Sequence, residues 1–210
     1  MSSALQAPKR SSMLGEAGFE RVEGDRYWTE PWVTQAILDA VRFRGLIWEP
    51  AAGRGDMADV IHDNGYQVMC SDIAGSTLGC AGAAESDFLT HTSPGDGTFS
   101  IVTNPPYVHA EAFIRKALEL TSRAGGMVAM LLRNEYDCAA GRRDLFERES
   151  FACKFVLTRR PRWVDALAQH SASPRHNFAW YVWDYNHAGR ANIRWIPAAK
   201  ATLFAEVSHV

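Results

Sequence analysis

The apolar positions of this chain fall into short runs that alternate with amphipathic segments. Apolar runs predict strands at residues 46–48, 67–73, 99–102, 127–132, 154–157 and 178–183. Helical spacing of apolar residues predicts helices at 33–41, 57–63, 110–122 and 142–148. Because the run 127–132 is almost continuously apolar, we expect a strand that is buried on both faces of a parallel sheet. The alternation of strands and helices predicts a doubly wound α/β fold.

Length and composition are those of one globular α/β unit. The chain has 210 residues, of which 47% are hydrophobic. Residues 1–24 are rich in Ser, Gly and charge, so we expect a mobile segment there and a single domain over 25–210. No apolar run reaches the roughly 20 residues of a membrane span, and the N-terminus lacks the apolar stretch of a secretory signal. Four scattered cysteines without a CxxC pair indicate reduced thiols, no metal site and a cytoplasmic protein.

Charge is unevenly distributed along the chain, although the formal net charge is only −2. Residues 1–132 contain 10 Lys and Arg against 16 Asp and Glu, whereas residues 133–210 contain 12 against 8. Ten of the twelve late cations are arginines. A basic late part fits an anionic partner such as nucleic acid, but charge alone fits arginines on a solvated face equally well.

The most informative motif is Asn104-Pro105-Pro106-Tyr107, which directly follows the predicted strand 99–102. Each proline fixes its own φ near −65°, and the residue before a proline is held extended, so the carbonyl groups project in set directions. With the Asn104 amide and the Tyr107 ring, such a turn can accept two hydrogen bonds from an –NH2 group and stack on the planar system that carries it. This suits the exocyclic amine of a nucleobase or a side-chain amide. A strand-ending turn with a buried tyrosine is the simpler alternative.

A glycine turn follows the predicted strand 46–48. In open α/β sheets, ligands bind beyond the carboxyl ends of the strands, and Gly53 and Gly55 have no Cβ to block that approach. Asp72 lies at the end of the next predicted strand, where an acidic residue can bind ribose hydroxyls. Glu49 and Asp56 flank the turn and disfavour a pyrophosphate. They favour a nucleoside that carries a positive charge, such as S-adenosylmethionine.

Asp87 and Phe88 form a third candidate pair at the end of a further strand. Asp87 could accept a hydrogen bond from an adenine amine while Phe88 covers the adenine ring. Phe88 is equally well explained as a core aromatic residue, so this pair supports a nucleoside site only together with the glycine turn.

Together these residues resemble the Rossmann-like S-adenosylmethionine-dependent methyltransferases, and within them the amino-group subclass that modifies adenine N6 in nucleic acid. The resemblance covers about residues 27–184. It implies a doubly wound, mostly parallel seven-stranded sheet with an antiparallel last strand, consistent with a hairpin around 154–183. It also implies methyl transfer from the cofactor S-adenosylmethionine to an exocyclic amine, most simply adenine N6 in DNA or RNA.

The residues that match the family's motifs define the candidate site. Segment 26–32 looks like the part of the family that packs on the methionine end of the cofactor. The cofactor residues implied by the resemblance are Tyr27, Thr29, Glu49, Gly53, Gly55, Asp72, Asp87 and Phe88. The catalytic residues implied are Asn104, Pro105 and Tyr107. Because arginines cluster with an aromatic residue in the basic late part, we expect nucleic acid to be held by Arg160, Arg162 and Trp163.

Several alternatives stay open. The same Asn-Pro-Pro-Tyr motif resembles that of protein-glutamine and guanine-N2 methyltransferases, which carry a sizeable extra N-terminal domain; fewer than 50 residues precede the glycine turn here. Sequence-specific DNA enzymes append a target-recognition domain, whereas 26 residues follow Asp184 here, so sequence specificity is in doubt. A non-catalytic nucleic-acid-binding module and a methyltransferase acting on a small amine are further hypotheses. The sequence predicts no particular oligomeric state.

Overall fold

The structure is a computed structural model, and it describes residues 27–75, 80, 82–92, 97–162, 164–165 and 176–197. In sequence order, the strands are β1 (Tyr27–Trp28), β2 (Leu46–Glu49), β3 (Val68–Asp72), β4 (Ala84–Glu85), β5 (Phe99–Thr103), β6 (Met127–Arg133), β7 (Phe151–Leu157), β8 (Val164–Asp165), β9 (Phe178–Asp184) and β10 (Asn192–Ile196). The helices are α1 (Pro31–Ala40), α2 (Asp56–Asp63), α3 (Ala110–Ala124) and α4 (Arg143–Phe146). Short 3-10 turns occupy Phe88–Thr90, Tyr107–His109, Tyr136–Cys138 and Ala140–Arg142.

Within the described ranges, eight strands form one mixed sheet in the order β10-β7-β9-β6-β5-β2-β3-β4. All neighbouring pairs are parallel except those of β9, which runs antiparallel to both β6 and β7. A separate two-stranded antiparallel sheet joins β1 to β8, with Trp28 opposite Val164. The predicted doubly wound, mostly parallel α/β sheet is therefore confirmed.

The predicted count of seven strands and the predicted antiparallel last strand are wrong. The antiparallel strand is β9, and an eighth strand, β10, follows it and pairs parallel to β7. β10 lies at the sheet edge, where the side chains of Ile193 and Trp195 are 57% and 67% exposed. Because strands were inferred from buried apolar runs, an exposed edge strand with alternating polar residues gave too weak a pattern.

The core lies on both faces of the sheet. Val128, Met130 and Leu132 of β6 pack in a cluster with α3 and α4, whereas Met127, Ala129 and Leu131 pack in a second cluster with α1 and α2. This alternation confirms the prediction that the run 127–132 is buried on both faces.

Local sequence explains where the helices begin and which face they bury. α1 begins at Pro31, whose missing N–H costs nothing in the first helical turn. In α3 the buried residues recur at helical spacing, at Ala110, Phe113, Ile114, Ala117, Leu118, Leu120 and Thr121. The predicted helices at 33–41, 57–63 and 110–122 are confirmed to within a few residues, whereas the one predicted at 142–148 is shorter, Arg143–Phe146.

Residues 1–26 lie outside the described part of the chain, so the expected mobile segment and the single domain over 25–210 stay predictions. Within the described part, no helix is both long and apolar enough to cross a membrane. The cytoplasmic location also stays a prediction.

Candidate functional site

Three neighbouring strand ends bring the main candidate residues to one edge of the sheet. β2 lies between β3 and β5, and all three are parallel, so their carboxyl ends meet. Glu49 ends β2, Asp72 ends β3, and Asn104 directly follows β5. A pocket opens at this edge, lined by Trp28, Thr29, Glu49, Ala51, Ala52, Gly53, Asp56, Met57 and Asn104.

The glycine turn connects β2 to α2 and requires both glycines. Gly53 and Gly55 have positive φ values of 53° and 94°, a region that disfavours residues with a Cβ. A Cβ at Gly55 would also lie 3.1 Å from the Cys80 Sγ, whereas a Cβ at Gly53 would meet no described atom within 4 Å. Gly53 therefore leaves open space on the pocket wall, and Gly55 allows the turn to pack against the loop after β3.

Asp72 joins the glycine turn to the end of β3. The Gly53 N–H donates to the Asp72 Oδ2, and the Ala74 N–H donates to the Asp72 Oδ1, both at 2.9 Å. Each carboxylate oxygen can accept a second hydrogen bond, so the buried side chain keeps capacity for ligand hydroxyls. The next residue, Ile73, leaves its apolar side chain 69% exposed beside that carboxylate.

Glu49 is the most deeply buried carboxyl group of the pocket, at 3% exposure. Burial raises its pKa well above the usual range, a hydrogen bond with the Ala58 backbone opposes this, and the nearby negative charges of Asp56, Asp72 and Asp59 raise the pKa further. Its Oε2 has no hydrogen-bond partner among the described residues. An ammonium group or another donor in the pocket would satisfy that oxygen and favour the charged carboxylate.

Trp28 lines the pocket, and Arg54 packs on its ring. The Arg54 guanidinium pairs with Asp56, with an Nε to Oδ2 distance of 3.0 Å. The same guanidinium lies 4.1 Å from the centroid of the Trp28 ring. The glycine turn is thereby held against β1, although these two segments are separated by the whole of α1 and β2.

The Asn-Pro-Pro-Tyr turn presents a buried amide at the pocket. The Asn104 Nδ2 donates to the Thr29 Oγ1 at 3.2 Å, and its Oδ1 is buried without a partner in the described part of the chain. Pro105 is buried and directly follows, and Tyr107 begins a 3-10 turn. The half-buried Tyr107 ring lies 6.0 Å from the Phe178 ring, tilted by 35°. The amide oxygen can accept an N–H from a molecule in the pocket.

Asp87 and Phe88 lie outside the residues that line the pocket. Asp87 is exposed, and its Oδ1 accepts from the Leu89 N–H at 2.9 Å, which caps a 3-10 turn. Phe88 is only 2% exposed and packs in the core, with ring centroids 5.1 Å from Trp48 and 4.9 Å from Phe113. Packing against core aromatics accounts for Phe88, and the adenine-binding role of the pair stays a prediction.

The basic late segment lies beside the pocket wall. β8 pairs with β1, with Tyr27 opposite Asp165, so Val164 and Asp165 run next to the segment that supplies Trp28 and Thr29. The Arg162 N–H donates to the Glu30 Oε2 at 2.6 Å. Only the backbone of Tyr27 is described, and its cofactor role stays a prediction.

Two exposed arginines of this segment also have protein contacts. The Arg159 guanidinium lies 5.1 Å from the Trp32 ring centroid, and the Arg160 Nε donates to the Asn177 Oδ1 at 2.8 Å. Arg162 is exposed as well. Trp163 lies outside the described residues, so its expected contact with nucleic acid stays a prediction.

Comparison with known proteins identifies the fold through solved structures but finds no match by sequence. No protein-family model matches the sequence, and no curated protein matches it significantly. A type I restriction-modification methyltransferase subunit from Streptococcus thermophilus superposes with a TM-score of 0.56 at 13% identity, over 81% of this chain and 47% of that one. The chain has a methyltransferase fold. It spans about half the length of the restriction-modification subunit.

Other solved methyltransferases share this fold. The 23S rRNA methyltransferase ErmE matches with a TM-score of 0.53 at 17% identity, over 77% of this chain and 70% of its own. A predicted O-methyltransferase from Agrobacterium tumefaciens matches with a TM-score of 0.53 at 14% identity, over 82% and 90%. The names of these two proteins indicate different methyl acceptors, so the shared fold alone indicates no acceptor and no activity for this chain.

Sequence reasoning missed the packing of Arg54 on Trp28 and the exposed side chain of Ile73. Arg54 stands between the two glycines, and Trp28 stands within the segment 26–32, yet neither pattern indicates that they contact each other. Ile73 directly follows Asp72, and an apolar residue after an acidic strand end was the one sequence feature that could have singled it out. Its exposure is visible only in the structure.

Proposed function

We propose that this protein is an S-adenosylmethionine-dependent methyltransferase that methylates an exocyclic amine, with adenine N6 in DNA or RNA as its acceptor. One observation carries the proposal. The buried Asn104 Oδ1, an acceptor without a described partner, lines the same pocket as the buried Glu49. The methyltransferase fold supports this proposal, and the Asn-Pro-Pro-Tyr turn would supply the two hydrogen-bond acceptors that an amine requires.

The pocket residues fit a cofactor that combines a nucleoside with positive charge. Asp56 supplies negative charge at the pocket, Glu49 supplies more when a bound cation favours its charged form, and the unsatisfied Glu49 Oε2 suits an ammonium donor. Asp72 has capacity for ribose hydroxyls, and Gly53 leaves room for close approach. When bound, S-adenosylmethionine would supply an electrophilic methyl group on a positively charged sulfur. No pyrophosphate group is expected beside three carboxylates.

Asn104 and Pro105 would hold the acceptor amine. An aromatic amine is a poor nucleophile because its lone pair is delocalised into the ring. If the Asn104 Oδ1 and the Pro105 carbonyl each accept one N–H, the nitrogen becomes more tetrahedral and its lone pair can point at the methyl group. Asn104 and Pro105 would thereby hold the amine facing the methyl group that bound S-adenosylmethionine would supply, with the bonding electrons left on its sulfur, and the methylated nitrogen would lose a proton to solvent. Positioning and charge stabilisation supply the rate enhancement, so no strong general base is required.

Tyr107 would fix the plane of the acceptor base by stacking. Its ring follows the two prolines directly and is half-buried, so one face can contact a planar ligand. A base in a duplex would have to leave the helix stack before it could reach this turn.

Nucleic acid is the acceptor class that the surface favours. Arg159, Arg160 and Arg162 are exposed and shortly precede β8, the strand that pairs with β1 and its pocket residue Trp28. Clustered arginines next to an active site provide phosphate contacts and electrostatic attraction for a polyanion. Fold neighbours named as a restriction-modification subunit and as a 23S rRNA methyltransferase are consistent with such an acceptor.

Radiolabelled methyl transfer tests the proposal across acceptor classes. The protein is incubated with methyl-labelled S-adenosylmethionine and, in parallel, with DNA, RNA and a protein extract. Label in DNA or RNA is the expected result. Label in the protein fraction alone would favour a side-chain amide acceptor. Cofactor binding by calorimetry without transfer to any acceptor would instead favour a non-catalytic binding module and contradict the proposal.

A further inference from the structure

Thr29 is hydrogen-bonded to Asn104, the residue proposed to bind the substrate amine. The Asn104 Nδ2 donates to the buried Thr29 Oγ1 at 3.2 Å, across 75 residues of sequence. Both residues line the pocket. The sequence predicted Thr29 as a cofactor residue only, so this contact with the amine-binding side of the pocket is a separate observation.

The contact restrains the plane of the Asn104 amide. An asparagine side chain has a broad χ2 preference, so an amide at a pocket wall is not fixed by rotamer energetics alone. A hydrogen bond from its Nδ2 to a buried hydroxyl removes that freedom and occupies one of its two donors. The Oδ1 is then left as the polar atom that is available to an incoming N–H.

Thr29 itself is held by the residues around it. Trp28 pairs with Val164 across the small sheet. Glu30, the residue after Thr29, accepts the Arg162 N–H at 2.6 Å and begins α1 as its N-cap. The residues on both sides of Thr29, Trp28 and Glu30, are therefore held by contacts with other segments. These contacts restrain the position of the Thr29 hydroxyl that accepts from the Asn104 amide.

We propose that Thr29 is a positioning residue for methyl transfer: its hydroxyl orients the Asn104 amide so that the Oδ1 accepts the amine. The proposal rests on the proposed function, since it assigns Thr29 to the acceptor side of the same site. Thr29 could bind the cofactor or position Asn104, and the two roles have different consequences. A cofactor ligand would affect binding of S-adenosylmethionine, whereas a positioning residue affects turnover.

The test compares Thr29→Val, Thr29→Ser and Thr34→Val. Valine keeps the shape of threonine but cannot accept from the Asn104 amide, whereas serine keeps the hydroxyl. Thr34 is a matched control because it is a buried threonine nearby, in α1, and its Oγ1 has no partner within the described ranges. We expect Thr29→Val to lower kcat about tenfold or more, because small misplacement at a reacting centre is costly. Thr29→Ser should recover most of kcat, and Thr34→Val should match the parent.

Cofactor affinity and the amide signal complete the test. Calorimetric affinity for S-adenosylmethionine should stay within about twofold in Thr29→Val, which is less than the net contribution of one hydrogen bond. The Asn104 side-chain NH2 signals, assigned by their loss in Asn104→Asp, should shift and exchange faster in Thr29→Val. Unchanged NH2 signals, unchanged kcat, or a loss confined to cofactor affinity would overturn the positioning role. A parent protein without transfer activity would contradict the proposed function, and the NH2 signals would still decide the Thr29–Asn104 bond.

Discussion

The Asp72 carboxylate accepts the Gly53 backbone N–H at 2.9 Å, which ties the glycine turn after β2 to the end of β3. The same carboxylate accepts from Ala74 through its other oxygen. One buried side chain therefore shapes the turn and offers charge to a ligand. This double role determines how its variants have to be designed.

Asp72→Ala is expected to weaken binding of S-adenosylmethionine. Hydrogen bonds to a charged group contribute roughly 1.5–3 kcal/mol, so loss of the ribose acceptor should cost about tenfold or more in affinity. Asp72→Asn keeps one oxygen for either the Gly53 or the Ala74 N–H but loses the charge and the second acceptor. It should therefore also bind weakly, and it should unfold at a temperature between those of Asp72→Ala and the parent. Titration calorimetry and thermal unfolding separate the two effects. Parent-like affinity in both variants would exclude the ribose role.

Glu49 gives the parent a pH-dependent stability that Glu49→Gln should lack. Burial raises the pKa of Glu49, and Asp56, Asp72 and Asp59 raise it further. Because the folded state holds this proton more tightly than the unfolded state, stability falls as pH rises from the ordinary glutamate pKa of about 4.3 through the raised folded pKa. The variant should therefore be increasingly more stable than the parent toward high pH. Parallel profiles of Tm against pH would refute this assignment.

Tyr107→Ala is expected to impair use of the acceptor through lost stacking. Base–aromatic stacking contributes roughly 1–3 kcal/mol per base, so KM for the nucleic acid should rise about fivefold or more. Tyr107→Phe retains the ring and its packing beside Phe178, so its effect should be mild. Steady-state kinetics with both variants is the measurement. A parent-like KM in Tyr107→Ala would contradict a stacking role.

The arginines beside β1 are expected to meet phosphates. Each phosphate contact that is lost should flatten the slope of log affinity against log salt by about 0.7–0.9. The double variant Arg160→Ala, Arg162→Ala should show this change. It leaves intact the backbone hydrogen bond from residue 162 to Glu30.

A double variant with the same change in charge provides the control for the salt experiment. Arg190 and Arg194 are exposed at or near β10, which is five strands away from β2 in the sheet. Arg190→Ala, Arg194→Ala should keep the parent slope. A parent slope of log affinity against log salt near zero, or equal slopes in both double variants, would favour a protein or a small amine as the methyl acceptor.

Buried elements were predictable from the sequence because burial leaves a periodic pattern. β5 and β6 are apolar runs in the sequence and buried strands in the structure, and the turn at Asn104 lies at the strand end where two prolines predicted it. Glu49 and Asp72 were likewise located at strand ends by the apolar runs before them. Parallel pairing then brings these ends together without any further sequence signal.

Features set by long-range contacts were not predictable. The Arg54–Trp28 stack and the Thr29–Asn104 hydrogen bond join segments that are far apart in the chain, and no local pattern reports such pairs. Phe88 shows the opposite problem, because an aromatic residue at a strand end suits a ligand site and a core equally well. Its packing against Trp48 was decided by the tertiary structure.

Nucleoside analysis by mass spectrometry is the most direct test of amine methylation at the Asn104 turn. DNA and RNA are incubated with S-adenosylmethionine and either the parent or Asn104→Ala, then digested to nucleosides. The expected result is N6-methylated adenine nucleoside with the parent. In Asn104→Ala the product should fall about a hundredfold, with cofactor affinity nearly unchanged, because the lost acceptor positions the amine and not the cofactor. Methylation at a ring nitrogen, carbon or hydroxyl, or near-parent turnover in Asn104→Ala, would contradict amine methylation at the Asn104 turn.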